Sequence, residues 1–456
     1  MQTFSLILFI LAILFPVYHT INGFITSRKT PAYLKREVTS EKGMSLLIPC
    51  YNEGAILNTT FEGLRALDYH NVEFIFINDG SKDDTMEILQ DHLELEREIR
   101  SSSLHYLPFK AIRTFYRSKK FPNVFVIDKE NGGKADSLNA GIVHASKEIV
   151  ITLDADSILD KQALSILNKS FHDPQVIAAG GNVHVLQGRT FKQNGASLTL
   201  RHMKNIVRFQ ILEYLRGFYV FKASLAKSNA LSIISGAFGA FNREVLLEVG
   251  GYRRTVGEDI DITLKVQQYA MKHKGMKVLF VPEAVCYTEV PESWKDLFNQ
   301  RIRWQKAFMD CLVLYAGTFL KSIFTNRISF FFLIDSFLAG VVSSYFTGFF
   351  LVSLLVFFTD LPFHIIMFYI GGSLTVNLLY TIVSFFIASK YTYRYHKREL
   401  GVILATMALD LFFFRFVNLF YIMVGSIAYF INKGGWNKVA RTGRVYPSTH
   451  AQNKSA

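Results

Sequence analysis

Residues 3–24, TFSLILFILAILFPVYHTINGF, contain no Asp, Glu, Lys or Arg. About 20 predominantly apolar residues suffice to cross a bilayer as a helix, and a proline is tolerated there. This stretch therefore ties the chain to a membrane before any other feature is read. Basic residues follow it (Arg28, Lys29, Lys35, Arg36), none precedes it, and no small-residue cleavage site ends it. A retained anchor is expected rather than a cleaved signal, with the next domain on the cytoplasmic side.

A second apolar region lies towards the other end. Residues 328–358 and 363–389 read as a hairpin of two spanning helices, and the basic loop KYTYRYHKR returns the chain to the cytoplasm. Residues 401–431 are apolar enough to span, yet the tail beyond them carries Lys433, Lys438, Arg441 and Arg444. One crossing cannot leave both flanks on the same side. The expected resolution is a break around Asp410, Arg415 and Asn418, with the stretch partly in the interface.

Between Met44 and Tyr287 the pattern is that of an α/β domain. MSLLIPC, VEFIFIND, NVFVID and EIVITLDAD are short apolar runs, each followed by a polar turn and a helix-like stretch. Continuous apolar strands alternating with helices predict a mainly parallel sheet, with ligands beyond the carboxyl ends of its strands. Cys50, Cys286 and Cys311 have no disulfide or zinc spacing, which suits a reduced compartment.

The unusual polar residues sit at those strand ends. Asp154 and Asp156 follow the run IVITL; paired carboxylates suit a hard divalent cation that completes its shell with phosphate oxygens. An N-cap aspartate with a solvated neighbour is the alternative. Asp79, in NDGSKDDT, is expected on a tight turn, open to hydrogen-bond a base or ribose; a plain strand-exit turn is the alternative. Two glycines before Lys134 in ENGGKADSLNAG let backbone approach a ligand while an ammonium faces phosphate. Glu258, Asp259 and Asp261 open a helix-like stretch, where acids complement the dipole and Asp259 could act as a general base. In NQRIRWQK, arginines beside Trp304 suit a diphosphate, or snorkel from a membrane-surface helix.

CYNE, NDGS, NGGKADSLNAG, DAD, SGAFGAF, GED and QRIRW occur in the order found in the membrane-integrated processive family 2 glycosyltransferases, and the last fits the QxxRW signature. The chain resembles that family, the cellulose, chitin, hyaluronan and poly-N-acetylglucosamine synthases, over about residues 45–310 and in its membrane pattern. The resemblance implies a GT-A-type α/β glycosyltransferase domain, mainly parallel in a mixed sheet, plus an α-helical transmembrane region. Its divisions are an anchor at 1–27, the glycosyltransferase domain at 43–290, interfacial helices with QxxRW at 291–327, channel helices at 328–431 and a basic tail at 432–456.

It also implies roles. Pro49, Tyr51, Glu53, Asp79, Lys134, Asp154, Gln300, Arg303 and Trp304 would surround a UDP-sugar donor. Asp154 and Asp156 would hold Mg²⁺ or Mn²⁺. Ser235, Gly236, Ala237 and Phe238, with Trp304, would receive the growing polysaccharide. Asp259 would be the base, with Glu258 beside it; Gly257 stands where the family usually has Thr. Trp436, Arg441 and Arg444 would form a gating segment. The counter-charge for Asp154 and Asp156 is then expected to be a metal arriving with the diphosphate, not a residue of the chain.

The implied reaction is a processive, inverting transfer at the cytoplasmic face of a multi-pass membrane protein, with secretion of the polymer through its own channel. UDP-N-acetylglucosamine and UDP-glucose both remain open as donors, as do cellulose-like or mixed-linkage β-glucan, chitin- and hyaluronan-type products and single transfer to a lipid phosphate. The Glu-Asp-Ile-Asp run is closer to the poly-N-acetylglucosamine synthases. A formal charge of +13 fits anionic lipid and an anionic donor, and no nucleic-acid-binding pattern is found. Accessory subunits and a homo-oligomer both stay open. Residues 101–127 contain basic but no acidic side chains. With Phe109, Ile112 and Tyr116 at helical spacing beside Lys110, Arg113 and Arg117, an amphipathic membrane-surface segment is expected there, with an ordinary surface insertion as the alternative.

Overall fold

In the run VEFIFIN every residue is buried, and so is every residue of IVITL. Strands shielded on both faces need helices on both sides of their sheet, and the intervening sequence supplies them. The computed structural model describes residues 2–100, 107–192, 195–356, 363–391 and 397–432. Its strands are β1 (Met44–Cys50), β2 (Val72–Asn78), β3 (Leu95–Arg97), β4 (Ile112–Ser118), β5 (Val124–Lys129), β6 (Ile149–Leu153), β7 (Ser157–Leu159), β8 (Val176–Val185), β9 (Arg189–Lys192), β10 (Gly195–Leu198), β11 (Phe238–Asn242) and β12 (Lys277–Thr288). The chain forms two units. Among the described residues, one comprises 30–186 and 231–289; the other comprises 2–29, 187–230 and 290–432. Residues 187–230 thus cluster with the helices, inside the span 43–290 expected for the sheet domain.

The first unit is built on ten strands in the order β3-β4-β5-β2-β1-β6-β11-β8-β12-β7. Pairs β5/β2, β2/β1, β1/β6 and β8/β12 are parallel. Strand β11 runs antiparallel between β6 and β8, and the edges β3/β4 and β7 are antiparallel. The four apolar runs read from the sequence are β1, β2, β5 and β6. From β1 the strand order departs in two directions, so the loops after β1, β2 and β6 open a crevice at their carboxyl ends.

Packing fixes where the helices begin. The helix Lys134–His144 crosses the sheet at Gly141, where an added Cβ would lie 2.8 Å from Leu47 Cδ1 and 3.1 Å from Ile77 Cδ1. That approach holds Lys134, its first residue, at the crevice. On the other side of the site, an added Cβ at Gly181 would stand 2.1 Å from the Phe238 ring. Gly181 thus leaves a notch that Phe238 fills, while its neighbour Gly180 lies against Ile234.

One expectation fails in this unit. Residues 112–118 form strand β4, paired between the short edge strand β3 and β5, not an amphipathic helix. Arg113 and Arg117 are exposed, yet Phe115 on the same face is buried, so no clean period of two marks the strand, while Ile112 and Tyr116 suggest a helical stripe. Residues 101–106 lie outside the described residues.

The second unit is helical. Among the described residues, four helices are long and apolar enough to cross a membrane: Leu6–Lys35, Arg327–Ser353, Ile366–Tyr391 and Leu400–Ile431. The last does not break at Asp410. It continues through a π-helical segment, Asp410–Phe414, and its charge is paired inside the unit. Arg216 donates to both Asp410 oxygens, at 2.6 and 3.1 Å, and Arg415 lies 3.4 Å away. A second buried pair joins His19 to Asp335 at 2.8 Å. Ionisable groups among apolar helices persist when they find hydrogen-bonding or charged partners. Cys50, Cys286 and Cys311 are buried and form no disulfide among the described residues.

Candidate active site

The exit loops of β1 and β2 are tied together. Asn52 adopts a left-handed backbone (φ 55°), which asparagine tolerates better than most residues. Its N–H donates to Ser81 Oγ at 3.0 Å, and its side-chain oxygen accepts from Lys82 N–H at 2.7 Å. Glu53 N–H donates to Thr85 Oγ1 at 2.8 Å. Pro49, Tyr51 and Glu53 are consequently held, partly buried, along one rim.

Asp79 is not open to a ligand, as the turn reading expected. It is buried, and both carboxylate oxygens are engaged within the chain. Oδ1 accepts from Lys129 Nζ at 2.8 Å and Gly132 N–H at 2.9 Å; Oδ2 accepts from Gly133 N–H at 2.7 Å and Asn131 Nδ2 at 3.2 Å. Two backbone N–H groups and two side chains therefore shape the Asn-Gly-Gly loop around one aspartate. Gly133, at φ 90°, caps the helix that starts at Lys134.

Lys134 is the hub. Its Nζ lies 2.5 Å from Asp154 Oδ1, 3.7 Å from Glu258 Oε1 and 3.3 Å from the Gly236 carbonyl oxygen. Burial disfavours its charge, but Asp154, Glu258 and Asp259 outweigh that and hold the ammonium above the ordinary lysine value. The expectation that Asp154 finds no counter-charge in the chain is thus corrected: Lys134, twenty positions earlier, supplies it. Its second oxygen is not hydrogen-bonded among the described residues, and Asp156 stands partly buried beside it.

Asp259 faces the same point from the helix Glu258–Lys272. Its Oδ2 accepts from Gly236 N–H at 3.3 Å and its Oδ1 from Ile260 N–H at 2.9 Å. Two backbone donors orient the carboxylate. Asp261, by contrast, is fully buried between Arg253 and Lys265, each 3.0 Å away, and belongs to the scaffold.

Ser235, Gly236 and Ala237 are partly exposed in the loop before β11. Phe238 is not: it is 0% exposed, and its ring is core. The strand's alternation turns it towards Gly181, so it cannot present its face to an acceptor as expected.

Three nearby residues escaped the sequence reading. Tyr252 is buried; burial pushes its phenol up and Glu258 adds to the rise, while a hydrogen bond with Thr152 opposes it. Lys129 is 0% exposed at the end of β5, and Asp136 lies 2.6 Å from its Nζ. A lysine closing an apolar strand next to a glycine-rich turn is the signal that could have found it.

Within the helical unit, Gln300, Arg303 and Trp304 lie on the helix Trp294–Ser322 at spacings that bring them to one face. Arg301 stacks on the Trp304 ring at 4.1 Å and pairs with Glu213 at 2.8 Å. Trp436, Arg441 and Arg444 lie outside the described residues.

Among the described residues no group of three His, Cys, Asp or Glu side chains is gathered to hold a metal unaided. Asp154 and Asp156 fit a divalent cation that takes its remaining ligands from phosphate and water, because they offer hard oxygen donors at the rim.

Residues 45–250 match the glycosyl transferase family 2 model, and residues 149–424 match that of glycosyl transferase family group 2. The chain is 30% identical over 275 residues to the poly-beta-1,6-N-acetyl-D-glucosamine synthase of Staphylococcus aureus (strain COL), a match covering 60% of this chain and 56% of that protein. It thus spans just over half the length of that relative. The synthase of the same name from Staphylococcus epidermidis is 28% identical over 367 residues, 78% of each chain. Among solved structures, the mannosyltransferase PcManGT from Pyrobaculum calidifontis, in complex with GDP-Man and Mn²⁺, superposes with a TM-score of 0.50 at 17% identity, covering 93% of this chain and 99% of that one. That likeness is one of fold: a GT-A-like mixed sheet.

Proposed function

Since the chain belongs to glycosyl transferase family 2, we propose that it is a polysaccharide synthase that transfers sugar from UDP-N-acetylglucosamine or UDP-glucose to a growing chain, inverting the anomeric centre. The observation that carries this reading is the convergence of Lys134, Asp154, Gly236 and Asp259 at one point beyond the carboxyl ends of the strands. Donor ligand, donor-side acid, acceptor loop and base are all within reach of one another there.

In the reaction, Asp259 takes the proton of the acceptor hydroxyl as that oxygen attacks the anomeric carbon. The bond from that carbon to the diphosphate oxygen breaks, and UDP departs with the electron pair. Gly236 and Ile260 N–H groups keep Asp259 oriented for this, which is worth more than its basicity alone. Lys134 moves from Asp154 towards the leaving diphosphate and offsets its charge. A divalent ion on Asp154 and Asp156 would supply further positive charge to the same leaving group. Ser235, Gly236 and Ala237 present the acceptor sugar. In the helical unit, Gln300, Arg303 and Trp304 are assigned to the diphosphate and the channel entrance.

The names of the staphylococcal relatives favour N-acetylglucosamine as the sugar. The four apolar helices support a multi-pass protein, with the sheet unit in the cytoplasm and the polymer leaving through the helical unit after successive transfers. The test is UDP release by the purified, detergent-solubilised chain with Mg²⁺ or Mn²⁺, supplied with UDP-N-acetylglucosamine, UDP-glucose or UDP-glucuronate. Turnover of one of the first two donors, lost in Asp259→Asn, supports the reading. Release that persists undiminished in Asp259→Asn contradicts it.

A further inference from the structure

Lys129 is a fully buried lysine set between two aspartates. Its Nζ donates to Asp79 Oδ1 at 2.8 Å and to the Glu130 carbonyl oxygen at 2.6 Å, and it forms an ion pair with Asp136 Oδ1 at 2.6 Å. A buried charge with this complement is stable; without it, the two aspartates would face each other unneutralised.

Each partner leads onward to a different part of the donor rim. Asp79 receives the N–H groups of Gly132 and Gly133. Asp136 sits in the first turn of the helix Lys134–His144, and its oxygens accept from Lys110 N–H at 3.1 and 3.2 Å. The loop rests directly on this group: an added Cβ at Gly132 would stand 2.2 Å from Asp136 Cγ. Likewise, an added Cβ at Gly80 would lie 3.0 Å from Asn131 N, at φ 66°. The register sets the arrangement, since Asn78 pairs with Asp128 across β2 and β5 and Asp79 and Lys129 follow them.

We infer that Lys129 is a positioning residue for the donor: by joining Asp79 to Asp136 it fixes the Asn131–Gly133 loop and, through it, the start of the helix that carries Lys134. It touches neither donor nor acceptor. Its effect therefore falls on nucleotide affinity rather than on the chemical step. The inference rests on the donor reading of this rim.

The experiment uses the full chain in detergent, with UDP and Mg²⁺ as the binding probe. Lys129→Gln keeps much of the volume but removes the charge. The double variant Lys129→Gln/Asp136→Asn also removes the surplus carboxylate, which keeps the test readable if the single variant folds poorly. Thermal unfolding is recorded for each. Both variants are expected to bind UDP about tenfold or more weakly and to raise the donor KM in step, with kcat within about threefold of wild type. A folded variant that binds UDP within about twofold of wild type, with an unchanged KM and only a lower Tm, overturns the inference and leaves Lys129 a scaffold residue. If the wild-type chain itself binds no UDP, the donor reading fails instead.

Discussion

The Lys134 ammonium is held 2.5 Å from Asp154 Oδ1, so the strand that ends in two aspartates is neutralised from the neighbouring helix before any substrate arrives. Lys134 is thus shared between the acid that it guards and the diphosphate that it is proposed to meet. Replacing it with Met is expected to weaken UDP binding by at least about tenfold and to lower kcat by about a hundredfold, because it acts on binding and on the leaving group alike. Calorimetric titration and initial rates on the same preparation check both.

The same lysine sets an alkaline limit. Its folded-state value is raised above that of the unfolded chain, about 10.4, by Asp154, Glu258 and Asp259 against the opposing effect of burial. Its contribution to stability is therefore complete below that pH and is lost as pH rises through the folded value. The difference in unfolding free energy between wild type and Lys134→Met should be constant from neutral pH to about pH 9.5 and shrink only beyond it. A difference that already shrinks near neutrality contradicts the pairing.

Asp259→Asn should lower kcat by about 10²–10⁴ while leaving UDP affinity within about threefold. The amide retains one acceptor for the Gly236 and Ile260 N–H groups but cannot take a proton. Equal losses in kcat and UDP affinity would place Asp259 in binding instead.

Asp79 organises a loop, so its loss should not alter base selectivity. Asp79→Asn turns a donor towards the N–H of Gly132 or Gly133, leaving a buried donor without an acceptor at about 1–3 kcal/mol. UDP and GDP should lose affinity by the same factor, whatever the wild-type preference. A selective loss for UDP would mean that the carboxylate reads the base.

In the helical unit, Asp410→Ala leaves Arg216 buried without its bidentate partner and should destabilise the chain by about 3–5 kcal/mol. The double replacement Arg216→Met/Asp410→Leu should recover most of that. Thermal unfolding in one detergent gives both; a double variant as unstable as the single one contradicts the pairing.

Strands β1, β2, β5 and β6 were legible because each is an unbroken apolar run ending in a polar turn. Strand β4 was not, because Phe115 is buried between the exposed Arg113 and Arg117 of the same face, which blurs the period of two, and Ile112 and Tyr116 satisfy a helical stripe as readily as a pleat. Strand β8 hides behind Gly180 and Gly181, whose purpose is visible only once Ile234 and Phe238 stand opposite them. The site's residue types were legible, but their partners were not. Lys134 and Asp154 are 20 positions apart and Arg216 and Asp410 are 194. Nothing local links such pairs; the strand order in one case and helix packing in the other bring them together. Asp79 was misread for a related reason: its partners are mostly loop N–H groups and a buried lysine, and a sequence does not reveal which way backbone donors point.

One site is proposed both to bind the donor and to extend the polymer. The decisive experiment is to size the product made by the purified chain in nanodiscs with Mg²⁺ or Mn²⁺ and a single UDP-sugar, followed by linkage-specific digestion. A long polymer from UDP-N-acetylglucosamine or UDP-glucose alone, absent in Asp259→Asn, is expected. Only short, lipid-extractable products would contradict it, making the chain a single-transfer enzyme and removing the reason for a channel.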